Sequence, residues 1–227
     1  MFKKILIALL VLIVALVAVI ATRPATYQVT RSELVAAPVD VVFAQVNDFH
    51  NWAQWSPWDK LDPKMTKTYS GPLSGKDATY HWVGNDKVGE GEMKIRESVP
   101  NEKVDIQLNF IKPFVSSADT LITVAPEGAG SKVTWTMSGK NNFMSKAFSM
   151  VMSMDKMIGA DFEKGLAAMK GLAETEAKKR AEAKAAAEKA AAEQKVAEEA
   201  AKAAEEARVA EEAKAAEEAS KKKGKKK

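Results

Sequence analysis

The sequence predicts an α+β domain in which a curved antiparallel sheet wraps a long C-terminal helix. Three observations point to it. Between Thr26 and about Gly139, short segments alternate apolar and polar side chains, the period of half-buried strands. Gly and Pro interrupt those segments so often that the connections suit hairpins rather than parallel crossovers. From Phe143 onward no Pro occurs, and Phe143, Ala147, Met150, Met154, Ile158, Phe162, Leu166 and Met169 recur at three- and four-residue steps, one apolar stripe on a single long helix. With an N-terminal transmembrane helix before this domain and an Ala/Glu/Lys-rich helical tail after it, the 227-residue chain divides into residues 1–25, 26–172 and 173–227.

The first part follows from length. After Lys3 and Lys4, Ile5 to Ala21 carries no polar side chain. As a helix this run covers about 26 Å, close to a bilayer core of about 30 Å. A secretory signal peptide is the alternative, with Val19 and Ala21 as small residues at a cleavage site. The apolar stretch exceeds the usual length of such a region, which favours a retained anchor. Lys3 and Lys4 bias the N-terminus towards the cytoplasm. The expected location is the bacterial cytoplasmic (inner) membrane, single-pass, with the C-terminal domain on the periplasmic side.

Strand follows strand through the middle part. Tyr27 to Val35 begins the sheet, and Val104, Ile106, Leu108 and Phe110 share one face of the clearest strand. Ala78, Tyr80 and Trp82 repeat the pattern, as do Met93 with Ile95, then Thr120 to Val124, then Val133, Trp135 and Met137. Turns fall at Gly84-Asn85-Asp86, Pro100-Asn101, Lys112-Pro113 and Pro126-Glu127-Gly128. Two short helices interrupt the strands: one from Pro38, placed at a first helical position, and one holding Trp52 and Trp55, ended by Pro57. A sheet with one apolar face must bury it, and the last helix carries the matching stripe.

These residues also carry a family resemblance. The stretches Ala37-Pro38 to Phe43, Asn51-Trp52 through Trp55-Ser56-Pro57-Trp58, Tyr69-Ser70-Gly71-Pro72, Tyr80-His81-Trp82-Val83-Gly84-Asn85, Val133 to Gly139 and Met154 to Gly159 resemble the SRPBCC superfamily (START / Bet v 1-like), specifically its bacterial polyketide cyclase/dehydrase-like proteins. The resemblance covers roughly residues 27 to 172. It implies a helix-grip fold with a deep apolar cavity under the C-terminal helix, used by relatives for lipids, sterols or polyketides, and no established catalytic set. One departure is Asp77, where similar sequences tend to have Gly.

Composition excludes several chemistries. With Cys 0 and His 2 there is no disulfide framework, Cys nucleophile or multi-histidine metal centre, and neither metal nor cofactor is expected. A net charge of +4 gives no case for specific nucleic-acid binding. No Gly-x-Ser-x-Gly elbow or phosphate loop is present. The polar candidates Asp48, His81, Glu90, Glu92 and Asp155 suggest no catalytic set: His81 alternates to the face opposite Tyr80 and Trp82, and Glu90 and Glu92 read as a solvated strand face. The expected cavity lining is Trp52, Trp55, Trp58, Tyr80, Trp82, Met93, Ile106, Leu108, Trp135, Met150, Met154 and Met157. Aromatic rings supply large apolar area, and flexible thioethers suit a wall that must adapt.

The tail cannot build a core: its 55 residues include 21 Ala, 13 Glu and 13 Lys. These are strong helix formers, and Glu174/Lys178, Glu176/Arg180 and Glu198/Lys202 have the favourable four-residue order. Only Val196 and Val209 are large and apolar, so a solvated helix is expected rather than a coiled coil. Lys221 to Lys227 suggests weak contact with polyanions or the envelope. Three functions compete on this reading. The first is membrane-anchored binding of a hydrophobic lipid- or polyketide-like molecule. The second is a polyketide cyclase/dehydratase-type enzyme, and the third is a non-enzymatic envelope tether acting through the tail.

Overall fold

A computed structural model describes residues 2–224, with side chains described to residue 216. The last three lysines of the basic terminus lie outside the described residues, and the side chains of Lys221, Lys222 and Lys223 are likewise not described. The chain forms two compact units, Met1–Ala177 and Lys178–Lys227.

In the first unit the order is α1 (Phe2–Ala21), β1 (Thr26–Val35), α2 (Val39–Asn47), α3 (Phe49–Trp55), a 3-10 turn (Trp58–Lys60), β2 (Thr66–Ser70), β3 (Thr79–Val83), β4 (Glu90–Val99), β5 (Lys103–Lys112), β6 (Ser116–Glu127), β7 (Gly130–Lys140), α4 (Phe143–Phe148) and the start of α5 (Met154–Gly224). The seven strands make one antiparallel sheet in the order β1-β7-β6-β5-β4-β3-β2. The first strand therefore pairs with the last, and irregular register between β4 and β5 bends the sheet at Glu90/Gly91 and Ile95/Glu97. A row of paired residues runs along one end: Thr66↔Val83, Val83↔Glu90, Glu90↔Lys112, Phe110↔Ser116, Ala118↔Gly139 and Lys140↔Thr26. The loops β3–β4 and β5–β6, the entry from α1 and the exit to α4 all belong to that end.

The concave face is apolar, as the alternation requires: Val29, Ile95, Val104, Ile106, Ile122 and Val133 are buried. Phe162, Leu166 and Met169 of α5 close it. On the opposite face hydroxyls pair across strands, Thr30 with Thr136 at 3.1 Å and Ser32 with Thr134 at 2.8 Å. Core contacts reach past Met169: Ala173 is buried, and Glu174 accepts a hydrogen bond from the Ala36 amide at 2.8 Å.

Several local expectations need correction. Pro38 is the N-cap of α2, with extended backbone, rather than its first helical residue. β2 was not foreseen, since Thr66–Ser70 alternates without large apolar residues apart from Tyr69. The stripe from Phe143 does not lie on one helix. Ser149 donates its hydroxyl to the Lys146 carbonyl at 2.7 Å, and the amides of Met150 and Val151 bond three residues back. Such local side-chain bonds and tightened turns compete with α-helix. The chain then restarts at Met154. Asp77 adopts φ 69°, a left-handed conformation that Gly takes freely and Asp tolerates better than most residues.

α1 is long and apolar enough to cross a bilayer, a property that signal sequences share. Among its described residues only Ile20 is buried. The second unit is helical through its described residues; Val196 and Val209 are exposed, and Lys202 pairs with Glu198 at 2.8 Å.

The start of α5 is tied to β1 by Arg31. Its guanidinium donates to Asp155 at 2.8 Å and to Glu163 at 2.6 Å, and Gly159 leaves the room in which it lies across the helix. The Arg31 hydrogen bond holds the Asp155 carboxyl below the usual carboxylate range. A carboxylate held low in the folded state adds stability above its unfolded pKa of about 3.9 and loses it as pH falls through the folded value. Asp155→Asn should therefore lower Tm modestly at neutral pH, with the gap to the parent closing as the buffer is taken below about pH 4. Thermal melts of the detergent-solubilised chain across pH check this, and a gap undiminished in acid would mean that the ion pair does not stabilise the fold.

Candidate functional site

The helix cannot fill a concave sheet, so a cavity of about 310 Å³ remains between them. β3 supplies Tyr80 and Trp82, β4 Met93, β5 Leu108 and Phe110, and β7 Trp135 and Met137. Trp52, Trp58 and Met65 close it from the segment before β2, and Ile158 and Phe162 from α5. Of the lining residues only Asp86, Lys87 and Pro113 are exposed, so the mouth lies between the β3–β4 and β5–β6 loops.

Local chemistry sets the walls. Trp82 stands directly opposite Gly91 on β4, and its ring occupies the place where a side chain at Gly91 would project. Its indole N–H donates to the Val88 carbonyl at 3.3 Å, which joins the wall to the loop at the mouth. Tyr69, Tyr80 and Trp82 form a run of stacked rings at 5.2 and 5.7 Å. At the other side Trp135 stacks on Phe162 at 4.0 Å and is met edge-on by Trp52, Trp55 and Trp58. The buried indole nitrogen of Trp135 has no hydrogen-bond partner. An unmet buried donor costs about 1–3 kcal/mol.

Seven of the expected lining residues border the cavity: Trp52, Trp58, Tyr80, Trp82, Met93, Leu108 and Trp135. Five do not. Trp55 is packed behind the wall, its N–H on the Gln45 carbonyl at 3.2 Å. Ile106 lies in solid core. Met150 is exposed between α4 and α5, Met157 is exposed because it lies off the stripe that turns Ile158 and Phe162 inward, and Met154 is half-buried at the first residue of α5.

The wall also has polar members that sequence reading missed: Ser56, Asp59 and Thr120. Asp59 Oδ1 pairs with the Lys67 ammonium, whose pKa is lowered by desolvation. The β2 strand that brings Lys67 to Asp59 was the unforeseen one, so the pair had no signal in spacing. Burial pushes the Tyr80 phenol upward, with Tyr69 adding to the effect, so Tyr80 stays protonated and can donate or accept a hydrogen bond. The other polar candidates lie elsewhere. His81 is on the outer face, 3.6 Å from Glu90, whose carboxyl is held low first by the Lys112 hydrogen bond at 2.6 Å. Glu92 sits opposite His81 in register, Asp48 caps α3, and Asp155 belongs to the Arg31 pair.

The family model "Polyketide cyclase / dehydrase and lipid transport" matches residues 26–174. No curated protein matches the chain. Among solved structures it is similar to protein CV1439 from Chromobacterium violaceum, at 16% identity and TM-score 0.48 over 66% of this chain and 98% of that one. Protein Mll3558 from Rhizobium loti gives 15% and 0.48 over 65% and 96%. The Aha1 dimer from Colwellia psychrerythraea gives 13% and 0.47 over 65% and 96%.

Gly91→Ala tests the wall. The added methyl would collide with the Trp82 ring and crowd the Asn109 carbonyl, so the indole must tip towards the cavity. Overpacking of this kind costs about 1–3 kcal/mol. The expected outcome is a lower Tm, a shifted tryptophan emission and weaker uptake of an apolar fluorescent probe; an unchanged emission spectrum would show that Trp82 had not moved.

Proposed function

Since the chain belongs to the polyketide cyclase / dehydrase and lipid transport family, we propose that it holds one lipid- or polyketide-like molecule in the cavity while α1 anchors it in a bacterial cytoplasmic membrane. The domain then stands on the outer, periplasmic side, in keeping with Lys3 and Lys4 at the other end of the anchor. The family itself suggests hydrophobic ligand binding. The observation that carries the reading is the hollow bounded by Trp52, Trp82, Met93, Leu108 and Phe110. Its volume falls at the low end of the range for small-molecule pockets, about 300–1,000 Å³. Transfer of apolar ligand surface from water into it contributes about 25 cal/mol per Å². Tyr80, Ser56 and Thr120 offer a polar end of the ligand its hydrogen bonds.

The full chain in mild detergent, analysed by native mass spectrometry against a panel of lipids and aromatic polyketides, should carry or accept one apolar molecule. Leu108→Trp fills the hollow from a half-buried position and should weaken binding at least about tenfold, equivalent to about 1.4 kcal/mol, with little change in Tm. Empty protein across the whole panel would defeat the proposal.

One observation favours a second reading, an enzyme of the cyclase or dehydratase type. Asp59 presents a carboxylate to a mostly apolar wall, and proton transfer at a bound substrate needs such a group within reach. On this reading Asp59→Asn keeps ligand affinity but abolishes cyclisation of a bound poly-β-ketone. In that reaction an enolate carbon adds to a ketone carbonyl and the resulting β-hydroxyl leaves with an α-proton as water, a loss of one water followed by mass spectrometry. No conversion by the parent would leave binding alone, and equal conversion by the two proteins would take Asp59 out of the chemistry.

A further inference from the structure

The geometry points to a second membrane contact: the end of the sheet that carries the cavity mouth rests in the interfacial layer of the bilayer, with Phe114, Met144, Phe148 and Val151 inserted among lipids. The inference rests on the reading of α1 as a membrane anchor. Four residues, 22–25, separate α1 from β1, and four residues reach at most about 14 Å. α1 as a helix of 20 residues is about 30 Å long, so Ala21 stands at the edge of the hydrocarbon core. Lys146 of α4 donates to the Ala21 carbonyl at 3.3 Å, and Asn141 bonds the carbonyls of Ala25 and Pro24 at 2.8 and 3.1 Å. α4 therefore lies at the depth where α1 leaves the core.

What it exposes there suits lipid. Met144 is 70% exposed, Val151 89% and Phe114 77%, and Phe148 is exposed beside them. Large apolar side chains gathered at one end mark an interaction surface. The occupant is identified by continuity with α1 and by charge: segments 21–26 and 139–154 contain Arg23, Lys140 and Lys146 and no Asp or Glu, while Lys112 is paired with Glu90. Cations flanking inserted apolar residues favour anionic phospholipid. Since the row of paired residues puts the β3–β4 and β5–β6 loops at this same end, Asp86, Lys87 and Pro113 at the mouth face the headgroups. An apolar guest can then pass between bilayer and cavity without crossing water.

The chain has no Cys, so single labels are clean. Phe114→Cys, Met144→Cys and Val151→Cys, each in the full chain and spin-labelled, are reconstituted in vesicles of phosphatidylcholine with phosphatidylglycerol. Leu73→Cys is the control for exposure, because Leu73 is 70% exposed in the β2–β3 loop at the opposite end. Val11→Cys within α1 is the control for depth. Relaxation by oxygen and by a water-soluble nickel chelate should give an oxygen-to-nickel accessibility ratio several-fold higher at 114, 144 and 151 than at 73. Labels at all three positions as wet as at 73, with 11 still deep, would overturn the contact while leaving the anchor and the cavity untouched. A wet label at 11 would overturn the anchor and this contact with it, and binding in detergent would still report on the cavity. Dipolar broadening between copies at 144 or 151 would overturn it in favour of self-association.

Discussion

The stack of Trp135 on Phe162 is where sheet and helix become one body. Trp135 sits on β7 between the first strand and the rest of the sheet, and Phe162 is the fully buried residue of α5 that faces it. Gly165 lies one turn further on, against Trp135 and Pro57, and a methyl there would press on both at 3.2 Å. Around this point Trp52, Trp55 and Trp58 wedge the small helices into place. The rings are rigid and large, so they fix the separation between helix and sheet on this side. On the other side Tyr80, Trp82 and Phe110 line the curve but no ring of α5 stacks on them, and the hollow is what remains.

Position along the strands then decides what the hollow can do. An antiparallel sheet sends alternate loops to opposite ends, and the bends in β4 curl its second half around the space under α5. The aromatic pivot closes one side, and the mouth opens where β3–β4 and β5–β6 turn. The Arg31 pair holds the start of α5 against β1. Polar groups within the wall are few, so a guest is oriented by a small set of hydrogen bonds and retained by apolar contact.

Much of this was legible in the sequence, because alternation reports which face of a strand is dry. Tyr80 and Trp82 inward with His81 outward, and Val104 and Ile106 on the core side, follow from period two alone. Period cannot distinguish a residue that borders a hollow from one packed behind it: Ile106 and Leu108 share a face, yet only Leu108 reaches the space. The interruption before Met154 was hidden for another reason. No Pro or Gly marks it; the Ser149 hydroxyl bonds back to the Lys146 carbonyl there, and a single Ser is tolerable in a helix. Asp59 could not be assigned to the wall without β2, whose mostly polar composition looks like loop.

The pairing of the first strand with the last has a consequence in time. Thr30 meets Thr136 across the ladder although 106 residues separate them in the chain. During synthesis β1 emerges first and has no neighbour until β7 is made, so the sheet closes only when almost the whole domain is available. Contacts so distant in sequence make folding slow, and an unpaired edge held in waiting is a template for wrong partners. The domain's vulnerable moment is its birth, and holdase chaperones that shield strand edges are the factors on which its yield should depend.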